Sequence, residues 1–209
     1  MSTAVQRGMI DYFDLLTEPR RPWLDTDRLR QKFLALASEA HPDRVHQSGS
    51  AEKEEVTRRY AQLNAAFLCL TEPKARLLHL LELELGSKPK DIQQIPPALA
   101  DCFADIATQC RNADGFLAEK KQITSPLLQV DLFVRGQDWV EKLNGLQRNL
   151  RERREASVQA AQSLDTRWMA ADGAARRELL PALEELYRLF GYYNRWERQI
   201  QERIVQLSL

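Results

Sequence analysis

Apolar residues recur at intervals of three and four along most of the 209-residue chain. That period gathers side chains on one face of an α-helix and scatters them over both faces of a strand. Val56, Tyr60, Leu63, Phe67 and Leu70 keep the four-three alternation without a slip, and so do Trp139, Leu143, Leu146 and Leu150. Strict two-residue alternation is hard to find, and only 8 glycines interrupt the pattern. The sequence predicts an all-α protein.

The punctuation divides the chain. Asp11–Leu16 predicts a short first helix with Tyr12, Leu15 and Leu16 as its apolar face. After Pro19 and Pro22, Asp25 or Thr26 caps a second helix running to about Ala40, with Leu29, Phe33, Leu36 and Ala40 facing inward. A third helix spans about Ala51 to Leu70 with Ser50 as its cap, and pairs antiparallel with the second. Pro73 suits the first turn of a fourth helix, which stops near Gly86. Residues 87–97 contain Pro89, Pro96 and Pro97 and read as a linker between domains at 8–86 and 98–209.

The second half predicts a three-helix bundle. Its first helix covers about 98–121. Thr124-Ser125-Pro126 restarts the pattern, a long helix begins near Gln137, and Asp172-Gly173 makes a turn. The last helix begins near Arg176, with Pro181 in its first turn or at its true start.

Composition narrows the partners. Thirty basic and thirty acidic residues cancel, so no global field favours nucleic acid or an anionic membrane. Residues 1–10 carry Arg7 and no apolar run, and no stretch has the length and apolarity of a membrane span; a cytoplasmic protein is the default expectation. Cys69, Cys102 and Cys110 form no C-x-x-C pair. Eight helical residues would hold Cys102 and Cys110 about 12 Å apart, too far for a disulfide or a shared metal ion. No cofactor is expected.

His41-Pro42-Asp43 at the end of the second helix is the one constellation that suggests function. Proline removes a backbone donor and projects its neighbours from a rigid turn. Asp43 then offers a carboxylate to a cationic partner, best a bidentate arginine. Taken alone the tripeptide is a turn and nothing more. A metal site or a small helical enzyme built on His41 and Asp43, with His46 nearby, has little support: there is no phosphate loop, no G-x-S-x-G and no H-E-x-x-H. The chain is not expected to be an enzyme.

The surroundings of the tripeptide give it weight. Asp11-Tyr12-Phe13 opens the segment, Leu24-Asp25-Thr26 precedes the second helix and Lys32-Phe33 lies within it. Leu63-Asn64-Ala65-Ala66-Phe67 lies in the third helix, and Pro73-x-x-Arg76 with Leu80-Leu81 in the fourth. With these features residues 11–85 resemble a J domain, a helical hairpin bearing the His-Pro-Asp loop, and in detail the HscB (Jac-type) co-chaperones.

That resemblance implies docking on a DnaK/HscA-class chaperone, with Asp43 engaging an arginine of its nucleotide-binding domain and favouring ATP hydrolysis. Arg28, Arg30, Lys32 and Arg44 would supply a positive face, although each equally suits a solvated surface. The family also binds an IscU-type iron–sulfur scaffold through its C-terminal bundle. Leu99 and Phe103 match the apolar scaffold-binding positions after the linker, with Tyr192 a candidate third. Core packing explains Leu99 and Phe103 about as well, and Tyr192 better. Leu34-Ala35 replace the Lys-Arg pair of general J domains, as in the specialised class, and extra length falls near 112–139. The alternative is a J-domain adaptor that recruits a different client.

Overall fold

The computed structural model describes residues 9–41, 49–90, 95–123 and 125–208. Among them run seven α-helices, a single 3-10 turn and no strand. The helices are α1 (Tyr12–Leu15), α2 (Thr26–Glu39), α3 (Ser50–Thr71), α4 (Pro73–Leu85), α5 (Ala100–Gln122), α6 (Pro126–Ala170) and α7 (Gly173–Ser208); the 3-10 turn, Pro97–Leu99, precedes α5. No helix of the described residues is long and apolar enough to cross a membrane.

Local chemistry sets the helix ends. The Asp11 carboxylate accepts the amides of Phe13 and Asp14 at 2.9 and 3.3 Å, which starts α1. Asp25, not Thr26, caps α2, accepting from Asp27 and Arg28 at 3.0 Å each. Gly49 occupies the cap position of α3 without a side-chain bond, so Ser50 is the first helical residue rather than its cap. Glu72 ends α3 and caps α4 through a 2.6 Å bond from the Ala75 amide. Gly86 stops α4 at φ +70°, the left-handed conformation that glycine adopts without a Cβ penalty.

Two compact units emerge, and they do not follow the 8–86 and 98–209 division: Met1–Asp91 groups with Ala160–Tyr187, and Ile92–Gln159 with Arg188–Leu209. Both long helices therefore contribute to both units.

In the first unit, α1 and α2 each pack on α3, which packs on α4. Phe13, Leu16, Leu29, Leu63, Leu70, Leu77, Leu80 and Leu81 are its buried centre. The short first helix buries Phe13 and leaves Tyr12 and Leu15 half-buried. On α2 the buried residues are Leu29 and Ala37, while Phe33, Leu36 and Ala40 are half-buried. Phe33 stacks on Phe67 of α3 with ring centroids 4.4 Å apart.

Buried Arg76 ties the first unit together. It donates Nε to the Pro22 carbonyl at 2.9 Å and Nη1 to the Leu70 carbonyl at 2.6 Å. Burial lowers its guanidinium to about 10, so it stays charged at neutral pH, stabilised by those carbonyls. Residues 160–187 complete the unit. The Asp165 carboxylate is buried and accepts two bonds from Arg21, one of them at 2.9 Å. The Trp168 indole, with no exposed surface, donates to the Arg20 carbonyl at 3.0 Å.

The second unit is built from α5 and parts of α6 and α7 around Ile106, Cys110, Phe116, Leu143, Leu150, Phe190, Tyr193, Trp196 and Ile200. Helix α6 starts at Pro126 rather than near Gln137, and α7 at Gly173 rather than near Arg176. Pro181 lies inside α7, not in its first turn. Pro181 and Arg177, the residue whose carbonyl the proline leaves without a helical donor, are both exposed. The Arg151–Glu155 stretch stays helical because its cations find partners: Arg153 bonds Asn149 at 2.9 Å and Arg154 bonds Asn194 at 2.7 Å.

Candidate functional site

The tripeptide follows directly on the C-terminus of α2. Ala40 is the C-cap, its amide bonded to the Leu36 carbonyl. His41 comes next, half-buried, with its ring edge-on to Tyr60 of α3 at 5.5 Å between centroids. An aromatic contact to the opposite arm thus braces the point where the chain leaves α2. Pro42, Asp43 and Arg44 lie outside the described residues, as does His46.

The cations expected beside the tripeptide do not share one face. Arg28 and Lys32 are four residues apart and lie on the same side of α2; Arg30 is turned roughly 200° from each. Arg28 and Arg30 are exposed. Lys32 is half-buried and tied back, 2.5 Å from Glu18 Oε1 and 3.0 Å from the Thr17 carbonyl. Arg28 is thus a freer cation than Lys32 on that side, and Leu34 stands exposed on the same helix.

The apolar positions of the second unit part company. Leu99 is 1% exposed and packs as core, so it presents no surface to a partner. Phe103 is 41% exposed, with its ring 6.2 Å from that of Trp196. Tyr192 is half-buried, with its ring 5.3 Å from the same indole. Trp196 is buried and joins these two positions from α5 and α7 into one aromatic patch. Sequence reading missed Trp196 as part of the site. Its signal was the four-residue step from Tyr192, which stacks the two on one helix face.

Burial pushes the Cys69 thiol up to about 11 and raises Cys102 and Cys110 as well, so all three are thiols at neutral pH. Among the described residues no group of three or more His, Cys, Asp or Glu side chains is placed to hold a metal ion.

No protein-family model matches the chain. A protein of Cupriavidus taiwanensis named "Co-chaperone protein HscB homolog" is 27% identical over 172 residues, which cover 81% of this chain and 86% of that one. The chain is HscB-like. A protein of the same name from Azoarcus sp. (strain BH72) is 36% identical over 73 residues, 35% of this chain and 41% of its own length. The crystal structure of human co-chaperone protein HscB matches over 92% of this chain and 81% of its own, with a TM-score of 0.54 and 18% identity, a likeness of fold. In HscB-like terms the first unit holds the J domain, and α5 with the neighbouring parts of α6 and α7 holds the C-terminal helical bundle.

Proposed function

We propose that this chain is a co-chaperone that stimulates ATP hydrolysis by a DnaK/HscA-class chaperone and delivers an IscU-type iron–sulfur scaffold to it. The observation that carries the reading is the α2/α3 hairpin with His41-Pro42-Asp43 in its connection, in a chain similar to HscB proteins along most of its length. Asp43 supplies the carboxylate for an arginine of the chaperone and His41 braces the turn, while Arg28, Arg30, Lys32 and Arg44 add positive charge along α2 and the connection after it, with Arg30 on a different side of the helix from Arg28 and Lys32. The chaperone is the enzyme; this protein shifts its states by binding one better than another. Phe103 and Tyr192 form the scaffold-binding surface, with Leu99 beneath it as packing.

The burial of Leu99 favours a second reading, a J-domain adaptor with a different client, because it removes one of the three expected scaffold contacts.

Single-turnover ATP hydrolysis by an HscA- or DnaK-type chaperone tests both readings. Wild-type protein is expected to accelerate hydrolysis, and Asp43→Asn to abolish the acceleration without changing the melting temperature. A further increase on adding IscU selects the scaffold reading; stimulation without that increase selects the other client. No stimulation of either chaperone rejects both.

A further inference from the structure

On the α5/α7 face of the second unit an exposed arginine lies against the aromatic patch. The Arg195 guanidinium carbon is 5.7 Å from the Tyr192 ring centroid. Arg195 is exposed, and among the described residues no carboxylate pairs with it. Arg203, two turns farther along α7, differs: its guanidinium is 2.6 Å from Asp114 and bonds the Cys110 carbonyl at 3.3 Å. Arg111, two turns from Phe103 along α5, is exposed and bonds only its own helix, at the Ala107 carbonyl. The α5/α7 face therefore combines the exposed Phe103 ring with two exposed arginines, Arg195 and Arg111, that pair with no carboxylate among the described residues.

Physical chemistry selects the partner. Tyr, Trp and Arg dominate the energetic centres of protein interfaces, since they offer large rigid area with a polar handle. A guanidinium resting on a ring is partly ordered before binding, which reduces the entropy lost when it captures an anion. Its planar fork matches a carboxylate with two parallel bonds.

We propose that Arg195 is the residue of this face that reads charge. A protein partner places an apolar side chain on Phe103 and Tyr192 and a neighbouring Asp or Glu carboxylate on the Arg195 guanidinium, with Trp196 as the floor. The proposal rests on the reading of this face as the scaffold-binding surface and adds the partner's chemistry to it: an apolar residue flanked by an acid. Arg195 is then a specificity-determining residue. It steers encounter and selects acidic-rimmed partners, while the aromatic patch supplies the burial.

The test is the binding kinetics of a purified IscU-type scaffold protein to the full chain at low and high salt, for wild type, Arg195→Gln, Arg195→Lys and Phe103→Ala. Arg195→Gln is expected to weaken binding by roughly tenfold at low salt, mainly through slower association, and to flatten the salt dependence. Arg195→Lys keeps the charge and retains most of the salt dependence, which guards against a folding artefact in the first variant. Equal affinity and equal salt dependence for Arg195→Gln and wild type, with binding lost in Phe103→Ala, overturns the role of Arg195 and leaves the surface in place. Binding undiminished in Phe103→Ala, or absent in wild type, overturns the scaffold surface and this proposal together.

Discussion

His79 is 5% exposed and lies against the rings of Tyr12 and Phe13, with centroids 4.7 and 5.8 Å away. Its Nε2 accepts the Tyr12 amide at 3.0 Å, a bond that only the neutral imidazole can make. Burial lowers its pKa from the ordinary 6.5, against the opposing pull of Asp11, whose carboxylate is 4.0 Å away. The unfolded chain therefore takes up this proton at a higher pH than the folded one. The His79 contribution is complete above pH 6.5 and is lost as pH falls through 6.5 toward the lower folded-state value. Urea denaturation at pH 7.5 and pH 5 is expected to show this loss, and His79→Gln to reduce the difference. An equal pH dependence in the variant would assign the effect to other groups. At this scale the sequence was legible in part. The Asp11-Tyr12-Phe13 opening marks the segment, but a single helical turn is too short for periodicity to choose Phe13 over Tyr12 as the buried ring. Arg76 stood in a recognisable Pro-x-x-Arg motif, yet its partner Pro22 is 54 residues away and nothing in the local sequence reveals the bond.

Gly136 looks like an interruption when propensity is read locally, but α6 runs through it from Pro126, with Leu132 buried on one side and Leu143 on the other. Gly136 is buried, and a Cβ added there would lie 3.8 Å from both the Leu207 carbonyl and the Phe116 ring, which is ordinary contact. Gly136→Ala is therefore expected to stabilise the second unit by roughly 1 kcal/mol, the usual helix-interior difference between the two residues. Urea denaturation followed by hydrogen exchange of α6 amides measures it, and destabilisation would show that the backbones need to approach more closely. The sequence reading of the paired helices α2 and α3 agrees with the structure to within a residue at each end, since long periodicity marks both and Asp25 caps α2. Phe103 and Tyr192 were reached through family resemblance. What joins them, the Trp196 indole, depends on how α5 meets α7, and spacing within either helix does not encode that.

Across the molecule, the first unit is discontinuous in sequence. A proline-rich stretch at 87–97 marked a boundary by composition, but residues 160–187 carry no local sign that they belong with the N-terminal helices. Their membership rests on Asp165 with Arg21 and on Trp168 with the Arg20 carbonyl, contacts that only tertiary structure creates. A chain ended at residue 91 loses a fully buried tryptophan and leaves Arg21 without its carboxylate. It is expected to be less stable than the same helices in the full chain by roughly 3–5 kcal/mol, the scale of deleting a large core aromatic. Exchange protection of α2–α4 amides in both forms decides this; equal protection would show that residues 160–187 contribute nothing to these helices.

The discontinuity also sets an order of events in synthesis. Arg21 leaves the ribosome 144 residues ahead of Asp165, so the fragment bearing His41-Pro42-Asp43 waits unfinished while most of the chain is made. The last step for the first unit is the closure of a long loop, which slows folding more than it costs stability. A nascent chain stalled before residue 160 would display the tripeptide on an incomplete support, whereas a chain grown past residue 187 has also made Phe103 and is within about three helical turns of Tyr192 and Trp196. The helices that support the tripeptide and the aromatic residues of the second unit are thus completed at nearly the same point of synthesis.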